Sequence, residues 1–286
     1  MTARPPAVGT HLAAAGKLAT VPQRAAALGA ESVQVFLSNP RGWAMSTGDS
    51  VSAAAFRTAA EENEMPVLVH SAYLINLGSP TPHTYERSRD NLAHAVRRGA
   101  EVGAAGVIVH TGSCVVAGNR EAALAQVRRA LLPLLDGLSD DDPDLLLEPT
   151  AGQGQSLCAT IDDLDQYLAV IDRHPRARIC LDTCHAFAAG HDLARPDGMT
   201  AALDRLVQVA GPGRLAAVHA NDSLDVRGSF RDRHARIGAG HIGPDAFAEL
   251  LAHEAVAGLP VVLETPGGPD AYAEDIELLK AQRASR

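Results

Sequence analysis

The sequence predicts an α/β protein folded as a closed (β/α)8 barrel, one domain over residues 1–286. Three observations carry this. Short apolar runs rich in Val, Ile and Leu recur eight times along the chain. Between them lie Ala/Leu/Arg segments whose apolar residues are spaced three and four apart, the period of a helix packed on one face. The length of 286 residues suits a fold that typically needs ~250. An open doubly wound sheet shares the alternation, but a count of eight strands favours closure.

In chain order the runs are Val8–His11, Ser32–Leu37, Pro66–His70, Gly106–His110, Leu145–Glu148, Ile179–Asp182, Leu215–His219 and Pro260–Glu264. Each is too short for a helix and nearly continuous in apolar character, as expected of a strand buried on both faces. Ser88–Val102 and Glu121–Leu135 are helical stretches on either side of the fourth run. Ser139–Asp144 is a polar turn before the fifth strand, and Gly211-Pro212-Gly213 is a breaker before the seventh. No low-complexity tract or compositional break divides the chain.

Hydrophobic residues make up 46% and charged residues 21%, the balance of an ordinary globular protein. No apolar run reaches the ~20 residues of a membrane span. The beginning, MTARPPAVGTHL, lacks the apolar core of a secretory signal. Cys114, Cys158, Cys180 and Cys184 form no CxxC pair and read as reduced thiols, so a cytoplasmic location is expected. The formal charge of −9 does not by itself favour a polyanionic partner. Divalent ions bound at one place would return much of that charge there.

What ends the runs is more informative. The first ends at His11, the third at His70, the fourth at His110 and the fifth at Glu148. The sixth ends at Asp182, the seventh at His219 and the eighth at Glu264. In a barrel these ends converge on one mouth, the face that carries active sites. His185 follows Asp182 by three residues, and Asp232 and His234 follow the seventh strand in a loop where residues two apart point the same way. Each residue alone has an ordinary reading: a strand-end imidazole is commonly a hydrogen-bonded structural group, and a buried carboxylate commonly has an Arg partner. Together they do not. Converging carboxylates with few cations would repel one another and lose hydration, and divalent metals are the natural remedy. Zn²⁺, Mn²⁺ and Fe²⁺ all accept mixed His and carboxylate ligands.

At these residues the chain resembles the endonuclease IV family of apurinic/apyrimidinic endonucleases. The resemblance is carried by HSAYLINL (residues 70–77), EPTAGQG (148–154), LDTCHAFAAGHD (181–192), HANDS (219–223), GSFRDRHARIGAGHIG (228–243) and LETP (263–266). It implies three Zn²⁺ ions per chain, with Mn²⁺ acceptable at one position. His70, His110 and a bridging Glu148 would hold the first. Glu148, Asp182, His219 and Glu264 would hold the second, and His185, Asp232 and His234 the third. It also implies a monomeric DNA repair endonuclease acting on double-stranded DNA, cutting 5′ to abasic sites to leave a 3′-hydroxyl and a 5′-sugar phosphate, with Glu148 catalytic. Arg41, Tyr73 and Leu74 would be inserted into the duplex. Arg227, Arg231, Arg233 and Arg236 could add phosphate contacts. The chain departs from the family pattern at Pro149, in the GTHLAAAGK segment of the first strand and in TGSC after His110.

Two other readings share the fold. A divalent-metal sugar isomerase or epimerase would also use strand-end His and carboxylates. It has no need of the His185, Asp232 and His234 set or of the Arg41 and Tyr73 loops. A non-catalytic barrel that binds damaged DNA would have no reason to retain unpaired carboxylates, which are expensive to bury.

Overall fold

The computed structural model describes residues 4–14 and 17–284. Residues 1–3 of the N-terminal stretch discussed above, and Ala15 and Gly16 of GTHLAAAGK, lie outside the described residues.

Ten strands are formed among the described residues: β1 (Ala7–His11), β2 (Ser32–Val35), β3 (Val67–His70), β4 (Gly106–His110), β5 (Asp144–Glu148), β6 (Ala177–Asp182), β7 (Leu215–His219), β8 (Asp222–Ser223), β9 (His234–Ala235) and β10 (Pro260–Leu263). Eight of them close into a parallel barrel in the order β1-β10-β7-β6-β5-β4-β3-β2. Closure is made by β1, which pairs with β10 on one side (Ala7↔Pro260) and with β2 on the other (Gly9↔Ser32). The backbones approach closely there: a Cβ on Gly9 would sit 1.8 Å from the Ser32 carbonyl oxygen, so only glycine fits. The remaining two strands form a small antiparallel ribbon, β8 with β9, where the sequence alone suggests only an extended loop.

Nine α-helices surround the barrel among the described residues: α1 (Val21–Ala27), α2 (Ser50–Glu62), α3 (Pro82–Glu101), α4 (Arg120–Asp136), α5 (Asp163–Val170), α6 (Thr183–Ala188), α7 (Gly198–Ala210), α8 (Pro244–Ala252) and α9 (Pro269–Ala284). Helix α3 begins earlier than its apolar period suggests, because Pro82 occupies the first turn, where its missing N–H costs nothing. Helix α2 is started by Asp49, whose carboxylate accepts from the Val51 and Ser52 N–H groups.

The core has two layers. Leu68, Ile108, Leu146, Cys180, Ala216, Ala217 and Val262 cluster together as barrel residues. A larger cluster, with Val8, Val33, Val107, Leu147, Leu181 and Val261 among its strand residues, packs the barrel against its helices. Strand side chains alternate faces. Two residues beyond Leu68, Ile108, Leu146, Cys180, Ala217 and Val262 come His70, His110, Glu148, Asp182, His219 and Glu264. The same parity that fills the barrel therefore stacks a polar layer on its floor. All four cysteines are free and buried. No helix among the described residues is long and apolar enough to cross a membrane.

Candidate metal centre

The polar layer is compact. Ligand atoms of His70, His110 and Glu148 lie within 4.8 Å of one another, as do those of Asp182, His219 and Glu264, and those of His185, Asp232 and His234. Two further groupings, Glu148 with Asp182 and His185, and Asp182 with Cys184 and His234, link these sets into one centre. Glu148 is its hub. Its Oε2 is 3.3 Å from Nε2 of both His70 and His110, and its Oε1 is 3.1 Å from His219 Nδ1 and 3.4 Å from His185 Nδ1. Oε2 is buried without a well-aligned hydrogen bond to either ring among the described residues.

The imidazoles are oriented from outside the centre. His70 Nδ1–H donates to the Ser71 carbonyl at 2.7 Å. His185 Nδ1–H donates to the Pro149 carbonyl at 3.1 Å, and His234 Nδ1–H to the Glu264 carbonyl at 3.2 Å. Nε2 of His219 faces the Gln34 side-chain oxygen at 2.7 Å. In each ring the other nitrogen is turned toward the carboxylates. This arrangement fixes tautomers in metal-ligating histidines. The Pro149 departure costs nothing in this respect, because the contact uses its carbonyl and not the N–H that proline lacks.

Asp182 has a double task. Its Oδ1 accepts the His185 N–H at 2.8 Å and so caps α6, while its Oδ2 faces His234 Nε2 at 3.6 Å and His219 Nδ1 at 3.8 Å. The β8–β9 ribbon brings Asp232 and His234 over the mouth, with Asp232 3.3 Å from His185 Nε2 and 3.1 Å from His234 Nε2. Asp222 holds this loop. It is fully buried and accepts from the N–H groups of Ser223, Gly238, Gly240, Ile242 and Gly243 at 2.8–3.3 Å.

The electrostatics favour positive charge in the centre. Burial alone would lower the His185 pKa, but Asp182, Asp232 and Glu148 overcome it and push it up to about 10. Burial likewise opposes, and Asp182, Asp232 and Glu264 enforce, a rise to about 9 at His234. His219 is raised well above the usual imidazole range, against its burial, by Cys180, Glu264 and Glu148. Glu148 stays well below the carboxylate range despite burial, because His219 and His110 stabilise its charge. Asp232 is lowered despite burial by His185 and His234. A donor set of imidazole nitrogens and carboxylate oxygens that draws in positive charge this strongly suits divalent metal ions.

His11 stands at the mouth but belongs to none of these groups. Burial first, then His70 and His219, lower its pKa to about 4, against the pull of Glu264. Arg41, Tyr73 and Leu74 lie on the rim and are exposed. The Tyr73 N–H donates to the Pro40 carbonyl at 3.0 Å, tying the two rim loops together, and its ring meets Phe36 edge-on at 5.2 Å. The rim carries more exposed apolar side chains than the motifs indicate: Met45, Val115, Val116, Leu224, Val226 and Phe230 all sit in loops that leave the C-terminal ends of barrel strands. The four arginines credited with phosphate contacts are each paired within the protein. Arg227 meets Asp192, Arg231 and Arg233 share Asp225, and Arg236 meets Glu274 and Asp275.

Sequence reasoning passes over Gln34, Asn221 and Asp222. Gln34 is the polar interruption of the apolar run SVQV on an inward parity, a signal that is available. Asn221 Nδ2 donates to Asp182 Oδ2 at 2.8 Å, and its Oδ1 accepts the Glu264 N–H at 2.8 Å.

Fold and mouth together define a TIM-barrel enzyme with a metal-binding centre. Residues 22–282 match the family model described as a xylose isomerase-like TIM barrel. The chain is 53% identical over 278 residues to the probable endonuclease 4 of Streptomyces avermitilis, covering 96% of this chain and 90% of that protein. The crystal structure of endonuclease IV from Thermus thermophilus superposes with a TM-score of 0.86 at 34% identity, covering 98% of this chain and all of that one. A 3-keto-D-glucoside 4-epimerase from E. coli shares the fold alone, with a TM-score of 0.69 at 17% identity over 96% of this chain and 98% of that one. The chain belongs to the endonuclease 4 family of TIM-barrel nucleases.

Proposed function

We propose that residues 1–286 act as one domain, a cytoplasmic and monomeric DNA repair endonuclease that cuts double-stranded DNA 5′ to abasic sites. The reading assigns three Zn²⁺ ions, Mn²⁺ being acceptable at one position. His70, His110 and Glu148 hold the first, Glu148, Asp182, His219 and Glu264 the second, and His185, Asp232 and His234 the third. When bound, such ions supply Lewis acidity for a phosphodiester and bring a water near its pKa at neutral pH. The protein's own residues do the rest. Glu148 joins the first two sets through its two oxygens. Ser71, Pro149, Gln34 and the Glu264 carbonyl fix which nitrogen each ring presents. The Tyr73 phenol, partly buried where its ring meets His70 and His110, has its pKa raised by that partial burial and by Glu264 and Glu148, and stays protonated and able to donate.

At the rim, exposed Tyr73 and Leu74 are shaped as wedges for a base stack, with Arg41 as a cation beside them. Such wedges hold a duplex open at a missing base. The observation that carries the proposal is the outward tethering of the imidazoles around a buried Glu148 Oε2 that faces two ring nitrogens at 3.3 Å without a well-aligned hydrogen bond. The test is a duplex with one abasic analogue, incubated with and without a strong chelator, with the cut mapped and zinc measured per chain. Scission 5′ to the analogue, lost on chelation, with close to three zinc ions per chain, is expected. Cutting that survives chelation, or protein that takes up no zinc, refutes the assignment.

A further inference from the structure

Gln34 lies near the C-terminal end of β2, the barrel strand that delivers no acid or imidazole to the mouth, and it is fully buried. A buried primary amide must satisfy two donors and an acceptor. Here all are engaged. Nε2 donates to Glu264 Oε1 at 2.6 Å and toward His11 Nδ1 at 2.9 Å, and Oε1 lies 2.7 Å from His219 Nε2. The opposite amide orientation would set two oxygens against each other at Glu264, so the network fixes which end is which.

We propose that Gln34 is a positioning residue that decides which atoms of His219 and Glu264 face the metal centre. The inference rests on the metal reading given above. His219 has two nitrogens of similar basicity. Its Nδ1 looks at Glu148 Oε1 at 3.1 Å and Glu264 Oε2 at 3.3 Å, both good acceptors. Without another acceptor the ring proton would settle on Nδ1 and block the lone pair a metal needs. Gln34 Oε1 offers that acceptor behind the ring, on Nε2, and so keeps Nδ1 available. The same amide draws Glu264 Oε1 away from the centre, leaving Oε2 turned inward beside Asn221 at 3.5 Å. His11, which holds no position in the metal groupings, thereby acquires a role as acceptor for the second amide hydrogen.

The test compares wild type with Gln34→Leu, which removes all three bonds at similar volume, and Gln34→Glu, which keeps an oxygen for His219 but loses both donors. Zinc affinity is read by competition with a chelating dye, and the imidazole N–H groups by ¹⁵N–¹H spectra of metal-free and zinc-loaded protein. Wild type should show a slowly exchanging His219 Nε2–H resonance in both forms. Q34L should lose it and bind the zinc of the Asp182, His219 and Glu264 set ~10- to 100-fold less tightly, the usual cost of losing an outer partner of a ligand. Q34E should keep the resonance yet also bind zinc more weakly. An unprotected His219 Nε2–H in wild type overturns the proposal, as does a Q34L protein with unchanged resonance and zinc affinity. If wild type binds no zinc, the metal reading has failed, while the metal-free spectra still decide the role of Gln34. Should Q34L not fold, wild type and Q34E decide it.

Discussion

Replacing Asp222 by Asn changes one atom type at the point where the loop of the outer ligands is held. Oδ1 takes the N–H groups of Ser223 and Ile242, and Oδ2 those of Gly238, Gly240 and Gly243. An asparagine can satisfy one side but presents a donor to the other, so two or three N–H groups lose their acceptor. Bonds to a charged acceptor contribute ~1.5–3 kcal/mol each, which bounds the loss at ~3–9 kcal/mol. Gly238 is exposed and water will replace part of it, so about 4 kcal/mol is expected. With an unfolding entropy near 2.1 cal/mol/K per residue, that lowers the melting midpoint of a 286-residue chain by about 7 °C. The loop cannot simply shift to compensate, because a Cβ on Gly240 would lie 2.4 Å from Asp222 Oδ1 and the backbone is already at closest approach. Since Asp222 pairs with Ala235, and Ser223 with His234, the variant should also lose zinc from the His185, Asp232 and His234 set. Calorimetry and elemental analysis on the same preparation read both effects. A D222N protein with an unchanged midpoint and full zinc content would refute the reasoning.

Glu148→Gln should abolish cutting while the protein still binds abasic duplex, since an amide cannot join two cationic sets; a gel assay showing undiminished scission would count against the hub role. The double variant Arg41→Ala/Tyr73→Ala should bind abasic duplex ~10- to 100-fold more weakly, from the ~1–3 kcal/mol an aromatic contributes per stacked base, with its circular dichroism unchanged because both side chains are exposed. Unaltered affinity in a titration would remove the wedge assignment. His234 and His185 have folded pKa values raised to about 9 and about 10, so their contribution to the stability of metal-free protein is full below the ordinary 6.5 and disappears as pH rises through those values. Denaturant titrations of metal-free protein should therefore show stability falling from pH 6.5 toward 10, and apparent zinc affinity should rise over the same interval as protons cease to compete. A flat profile in both measurements contradicts the proton–metal exchange.

The barrel is legible because its signals are local. Each strand is a short apolar run, and each inward residue announces itself by ending one, so His70, His110, Glu148, Asp182, His219 and Glu264 can be placed at one mouth from parity alone. The third set is harder. His185 sits on α6 and Asp232 in the loop between β8 and β9 nearly fifty residues later, and the β8–β9 pairing and the Asp222 hydrogen bonds help hold that loop over the mouth. Gln34 and Asn221 escape because an amide is uncharged, and its importance lies in what surrounds it. The ion pairs of the loop arginines are invisible in the sequence for a different reason: their partners, Asp192, Asp225, Glu274 and Asp275, become neighbours only on folding.

The burial gradient across the centre has a consequence for traffic. His219, Asp182 and Glu148 are at most 1% exposed, whereas Asp232 faces solvent, and the barrel beneath them is plugged by Leu68, Ile108, Leu146 and Val262. The centre is thus deepest at His219, Asp182 and Glu148 and reaches solvent at Asp232. On the three-ion reading, a chelator arriving from solvent meets the set at Asp232 first. A chelator should remove the ions in distinct kinetic steps, beginning at His185, Asp232 and His234, and the ion among Asp182, His219 and Glu264 should be the slowest to leave.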